Sequence, residues 1–185
     1  MNAAMRFIRT SIPGCVEVQP ASSDDERGTF AKPFHAPSFL SQGIDFVPAE
    51  SFFTTSRRGV LRGFHLQLPP HSHDKLVYCV VGAVWDVVVD LRVGSPAAGM
   101  PFCIELDAAR SNALFIPAGV AHAFYSRTEG AVLSYLVSSP HQPASDAGIR
   151  WDSVGITWPD EHPLISARDR ALPAISEFRS PFVFR

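Results

Sequence analysis

The chain has 185 residues, and 16 lysines and arginines against 18 aspartates and glutamates leave a formal charge of −2. That length suits one domain able to bury its own core, and 46% hydrophobic with 18% charged residues excludes a disordered chain. The near-neutral balance excludes an electrostatic footprint for nucleic acid or an anionic membrane surface, so an anionic ligand is left to the local convergence of a few of its fourteen arginines.

In chain order, the opening MNAAMRFIRTSIPG lacks the apolar stretch of a secretory signal. No apolar run approaches the ~18 residues of a membrane helix, and a cytoplasmic protein is the default expectation. Sixteen prolines and twelve glycines interrupt the chain so often that only two short helices are predicted, over Pro37–Gly43 and Ser166–Arg170. Leu76–Val81 and Ala83–Leu91 are rich in β-branched and aromatic residues and predict strands, with Gly82 turning the chain between them. In the second strand Trp85, Val87 and Val89 share one face and Asp86, Val88 and Asp90 the other. Phe102–Leu106, Ala113–Ile116, Ala121–Ser126 and Val132–Ser138 follow at intervals of roughly ten residues, the rhythm of an all-β sandwich or barrel. Cys15, Cys79 and Cys103 are odd in number and lack CxxC spacing. Cys79 and Cys103 lie in apolar runs and read as buried free thiols, which fits a reducing compartment. No repeat or linker divides residues 1–185, and the expectation is a single antiparallel β-sandwich.

Polar residues concentrate in two places. The first is Arg57-Arg58-Gly59-Val60-Leu61-Arg62-Gly63-Phe64-His65-Leu66-Gln67, followed by His71, His73 and Lys75. A regular strand would point Arg62 away from His65 unless a bulge at Gly63 restores a common face. Burying such charges unpaired costs several kcal/mol, so they need a polar destination, which a solvated pocket at an open barrel mouth supplies. The second is Pro117-Ala118-Gly119-Val120-Ala121-His122. Its P-x-G-x-x-H pattern resembles the second motif of the cupin superfamily, and His71-x-His73 resembles the first, whose histidines and later glutamate bind a metal. Here Leu76, Val77, Tyr78 and Cys79 follow Lys75 and the glutamate is missing. A site of His71, His73 and His122 could still hold a divalent ion, while the plainer reading of His71 is a surface loop residue.

GVLRGFHLQ, KLVYCVVGAVWDVVVDLRVGSP, LFIPAGVAHAFYS, GIRWD, GITWP and SARDR occur in this order over roughly Asp25 to Arg170. Together they resemble the dTDP-4-dehydrorhamnose 3,5-epimerase family, a metal-independent branch of the cupins. The resemblance implies an all-β, cupin-like jelly roll and an epimerase that inverts C3, C5 or both on a nucleotide-linked 4-keto-6-deoxy hexose, with no cofactor. A ketone at C4 acidifies the neighbouring C–H bonds. A base removes one proton, an enolate forms, and an acid on the opposite face returns a proton.

By the same resemblance the base is His65, since an imidazole ordinarily titrates near 6.5 and is available in its neutral form. Asp169 is its orienting carboxylate, Tyr135 is the opposing acid, and Lys75 stabilises the enolate oxygen. Read without the resemblance, Asp169 is a helix-surface ion-pair residue, Tyr135 an ordinary strand aromatic and Lys75 a snorkelling side chain. Arg27, Phe30, Arg62, Gln67 and His122 correspond to substrate-binding positions, where guanidinium groups suit diphosphate oxygens. The resemblance also implies a homodimer to which N-terminal strands, about residues 1–50, contribute. The chain departs from the family pattern at Lys32, where a glutamate is expected, at Pro48-Ala49-Glu50 and at Pro140-His141. All three departures fall in the binding shell. The alternatives are a metal-dependent cupin using His71, His73 and His122, and a sugar-nucleotide binding protein without catalysis.

Overall fold

The structure, a computed structural model, describes residues 4–185. Its strands are β1 (Arg6–Arg9), β2 (Val16–Gln19), β3 (Ala21–Asp25), β4 (Gly28–Lys32), β5 (Glu50–Ser56), β6 (Leu61–Gln67), β7 (Lys75–Val81), β8 (Ala83–Asp90), β9 (Pro101–Asp107), β10 (Ala113–Ile116), β11 (Val120–Ser126), β12 (Ala131–Val137) and β13 (Asp146–Gly148). The helices are α1 (Ala36–Ser41) and α2 (Ala167–Arg170). Six strands form one sheet in the order β1-β2-β10-β7-β12-β5, five form a second in the order β13-β6-β11-β8-β9, and β3 and β4 pair only with each other. Every strand pairing is antiparallel.

The alternation of β8 shows how the layers form. Val84 and Val88 point between the two sheets, where they meet Phe124 and, from the six-stranded sheet, Val77, Leu114 and Leu133. Each such side chain contributes about 1.5–3 kcal/mol by leaving water. Val87 and Val89 point outward, where Trp158, Ile165 and Phe182 of the C-terminal segment cover them. The six-stranded sheet is covered on its outer face by α1 and the chain that follows it, through Phe39 and Phe46 against Val18, Leu76 and Phe115.

The expected helices and the six strands read from apolar runs are present with ends moved by one or two residues. Strand β5 was not expected, because Glu50–Ser56 carries serine and threonine at four positions and shows no apolar alternation. Cys103 is a correction. It is exposed, whereas Cys15 and Cys79 are buried. On edge strand β9, Phe102 and Ile104 take the inward face against the core, which turns Cys103 outward.

The bulge at Gly63 that would restore a common face to Arg62 and His65 is present. His65 lies opposite His122 and Arg62 opposite Phe124, so Gly63 and Phe64 together face the single residue Ala123. Gly63 has φ +120°, and a Cβ there would fall 2.6 Å from Ala123 Cα and from the His122 carbonyl. Only glycine fits, and the bulge brings Arg62 and His65 to one cavity.

Candidate active site

That cavity, of about 390 Å³, lies between the two sheets, within the range of small-ligand sites. Six of the nine residues expected in the site line it: Arg62, His65 and Gln67 from β6, Lys75 from β7, His122 from β11 and Tyr135 from β12. Asp169 stands behind His65. Arg27 and Phe30 are elsewhere, on the exposed β3–β4 hairpin, where the Arg27 guanidinium is bonded to Asp25 at 2.5 Å and Phe30 is 59% exposed.

His65 Nε2 lies 2.8 Å from Asp169 Oδ1. An ionised carboxylate only accepts, so the bond places the ring proton on Nε2 and leaves the Nδ1 lone pair free. The second carboxylate oxygen accepts the Gly63 N–H at 3.1 Å, and the Asp169 N–H donates to Ser166 Oγ, the cap of α2. Burial pushes the Asp169 carboxyl up, but the His65 ring and the Gly63 N–H outweigh it and hold the group below the usual carboxylate range.

The opposite wall belongs to the six-stranded sheet. Lys75, at the start of β7, is buried, and its ammonium donates to the His65 carbonyl at 3.1 Å, joining the two sheets. Burial lowers its pKa to about 8, with Asp146 and Asp86 opposing the fall. Tyr135 is 6% exposed, and burial raises its phenol well above the ordinary value, so it is an O–H donor at neutral pH. Phe52 stacks on it with centroids 4.6 Å apart.

A second histidine–carboxylate pair forms the floor. His122 Nε2 donates to Asp86 Oδ2 at 2.7 Å, and Asp86 is fully buried with its Oδ1 unpartnered. The sequence placed Asp86 on one face of β8 with Val88 and Asp90 but attached no role to it; a carboxylate on the same face as a core valine is itself a signal that a partner must meet it. Gln67 is a clamp. Its amide nitrogen donates to the carbonyl of His71 and meets His73 Nδ1, and its oxygen accepts the Gln142 N–H. Burial, with Lys75 nearby, lowers the His73 pKa to about 4, and the ring is neutral. Arg62 is held by Ser56 Oγ and the Thr55 carbonyl. Glu50, Thr54, His141, Asp146 and Arg168 also line the cavity, and none of them stood among the expected site residues.

The histidine metal site finds no support. His71 is exposed on its loop, His122 is committed to Asp86, and among the described residues no group of three or more His, Cys, Asp or Glu side chains is arranged to hold a metal ion.

Comparison with known proteins gives one answer. The profile of the dTDP-4-dehydrorhamnose 3,5-epimerase family matches residues 9–177. The dTDP-4-dehydrorhamnose 3,5-epimerase of Shigella flexneri is 37% identical over 89% of this chain and 93% of its own. The dTDP-4-dehydro-6-deoxyglucose 3-epimerase of Streptomyces bikiniensis is 39% identical over 90% of this chain and 87% of its own. A Legionella pneumophila dTDP-6-deoxy-D-glucose-3,5-epimerase, solved in complex with dTDP-4-keto-L-rhamnose, superposes with a TM-score of 0.92 at 31% identity, covering 98% of this chain and 100% of that one. The fold is the cupin-like jelly roll of these proteins.

Proposed function

The chain belongs to the dTDP-4-dehydrorhamnose 3,5-epimerase family and is an epimerase, and we propose that its cavity takes a dTDP-linked 4-keto-6-deoxy hexose and inverts C3, C5 or both. One observation carries the assignment of roles: His65, backed by Asp169, and the Tyr135–Lys75 pair face a single cavity from opposite sheets. Inversion needs a base on one face of the sugar and an acid on the other.

In this reading the neutral His65 takes the proton from the carbon next to the ketone. The C–H electron pair becomes the C=C bond to C4, the carbonyl π pair moves onto the C4 oxygen, and the buried Lys75 ammonium stabilises the charge there. Asp169 stabilises the imidazolium. Tyr135 then gives its O–H proton to the opposite face, the carbonyl re-forms, and solvent returns both groups to their starting states. His122, fixed by Asp86, and Arg62 bind the sugar nucleotide. Relatives that act on dTDP-sugars support the nucleotide class.

The β3–β4 hairpin belongs to neither large sheet and carries Arg27 and the exposed Phe30. This supports a homodimer in which the N-terminal strands of one copy serve its partner; by our reading each chain is a single domain acting in the cytoplasm. Among the described residues no helix is long and apolar enough to cross a membrane.

The test is solvent exchange in D2O, followed by mass spectrometry, over dTDP-, CDP- and GDP-linked 4-keto-6-deoxyglucose. The expected result is deuterium at C3, C5 or both of the dTDP sugar together with inverted product, and no exchange with His65→Ala. Exchange near the wild-type rate in that variant would overturn the base.

A further inference from the structure

Tyr135 and Phe52 are direct partners in the β12–β5 register. Their rings are 4.6 Å apart and nearly parallel, at 13°. His122 meets the same tyrosine edge-on at 6.0 Å and 71°. The phenol is therefore held on its face by one ring and at its side by another, the two geometries that aromatic pairs prefer. Phe52 is not needed to fill the interior. It belongs to none of the buried apolar clusters, and it lines the cavity with 41% of its surface exposed.

We propose that Phe52 is a positioning residue, whose stacked ring fixes the orientation of Tyr135 so that the phenol returns its proton to the face opposite His65. The inference rests on the epimerase reading and on Tyr135 as the acid. Rotation of the tyrosine about its Cα–Cβ bond takes the ring out of the stack, so the stacked partner restricts the hydroxyl to one direction. The enolate partitions between two protonations. Return from His65 gives back the original configuration, while delivery from Tyr135 inverts it. A tyrosine that swings loses the second branch and leaves the first step untouched.

The experiment separates these branches. Each variant is incubated with dTDP-4-keto-6-deoxyglucose in D2O, and two quantities are read: total deuterium uptake, and the ratio of labelled inverted sugar to labelled sugar of original configuration. Phe52→Leu is expected to keep uptake within about two-fold of wild type. Its inversion ratio is expected to fall by roughly two- to twelve-fold, the size set by one aromatic pair. Phe52→Tyr, which keeps a ring for stacking, is expected to restore the ratio. An unchanged ratio in Phe52→Leu, or uptake and inversion falling together, overturns the proposal; so does a lowered ratio that Phe52→Tyr fails to restore. Failure of the underlying reading looks different. Wild-type protein would then show no uptake, or Tyr135→Phe would invert normally, and in either case the proposal falls with it.

Discussion

Lys75 is a charge placed where it costs stability. Its folded pKa of about 8 lies below the ordinary lysine value of about 10.4. Below about pH 8 both folded and unfolded chains carry the proton, and the full penalty of the buried ammonium is present. Between the two values the folded chain has released a proton that the unfolded chain retains, so stability rises with pH. Lys75→Met should therefore lower the epimerisation rate about 10²–10³-fold. At neutral pH it should raise the unfolding free energy by about 1–2 kcal/mol: a desolvation gain on the order of 3 kcal/mol, less the lost bond to the His65 carbonyl. Urea melts alongside turnover check both halves, and a variant both inactive and less stable would contradict the account. With Lys75 in place, turnover should decline above about pH 8. Asp169 has the opposite sign. Its depressed carboxyl adds stability that is complete above the ordinary carboxylate value near 4 and is lost as the pH falls through the folded value. Asp169→Asn should flatten that acid limb in urea melts measured against pH and lower turnover about 10²–10⁴-fold, because an amide no longer stabilises the imidazolium.

At the scale of elements, the site hangs on a bulge and a very short helix. Strand β6 reaches the cavity with both Arg62 and His65 only because Gly63 and Phe64 occupy the space opposite one residue. Gly63→Ala would press a methyl into the β11 backbone at 2.6 Å. It should cost about 2–4 kcal/mol in thermal or urea unfolding and reduce turnover sharply. Helix α2 has four residues, too few to be stable alone, and is held by the Ser166 cap and by the bonds of Asp169 to β6. Ser166→Ala should cost about 1 kcal/mol of stability and, by loosening Asp169, lower kcat about three- to ten-fold with little change in KM. The bulge was legible beforehand because two polar residues three apart cannot share a face of a regular strand. Strand β5 was not legible: its sequence has no apolar alternation, although it supplies Glu50, Phe52 and Thr54 to the cavity. Cys103 was misread because an apolar run does not tell which residues of an edge strand face outward.

At the scale of the whole molecule, two sheets closing on each other leave a cavity that His65 and Tyr135 line from facing walls. The hairpin carrying Arg27 and Phe30 lies outside both sheets, and the dimer reading makes a prediction about it. Sedimentation should give twice the chain mass, and Phe30→Ala should raise KM with little effect on kcat; a monomer with full activity would refute it. What the sequence by itself determined is local or linear: the β class, from alternation and punctuation by proline and glycine, and the family, from motifs in fixed order that contain His65, Lys75 and Asp169. The tertiary structure alone decided the pairings. His65 and Asp169 are 104 positions apart and His122 and Asp86 are 36 apart. The stacking of Phe52 on Tyr135 likewise depends on the register of two strands distant in the chain. Side-chain direction follows from a two-residue period that any strand carries, whereas contact depends on register, bulges and the closing of one sheet over another, which no local pattern encodes.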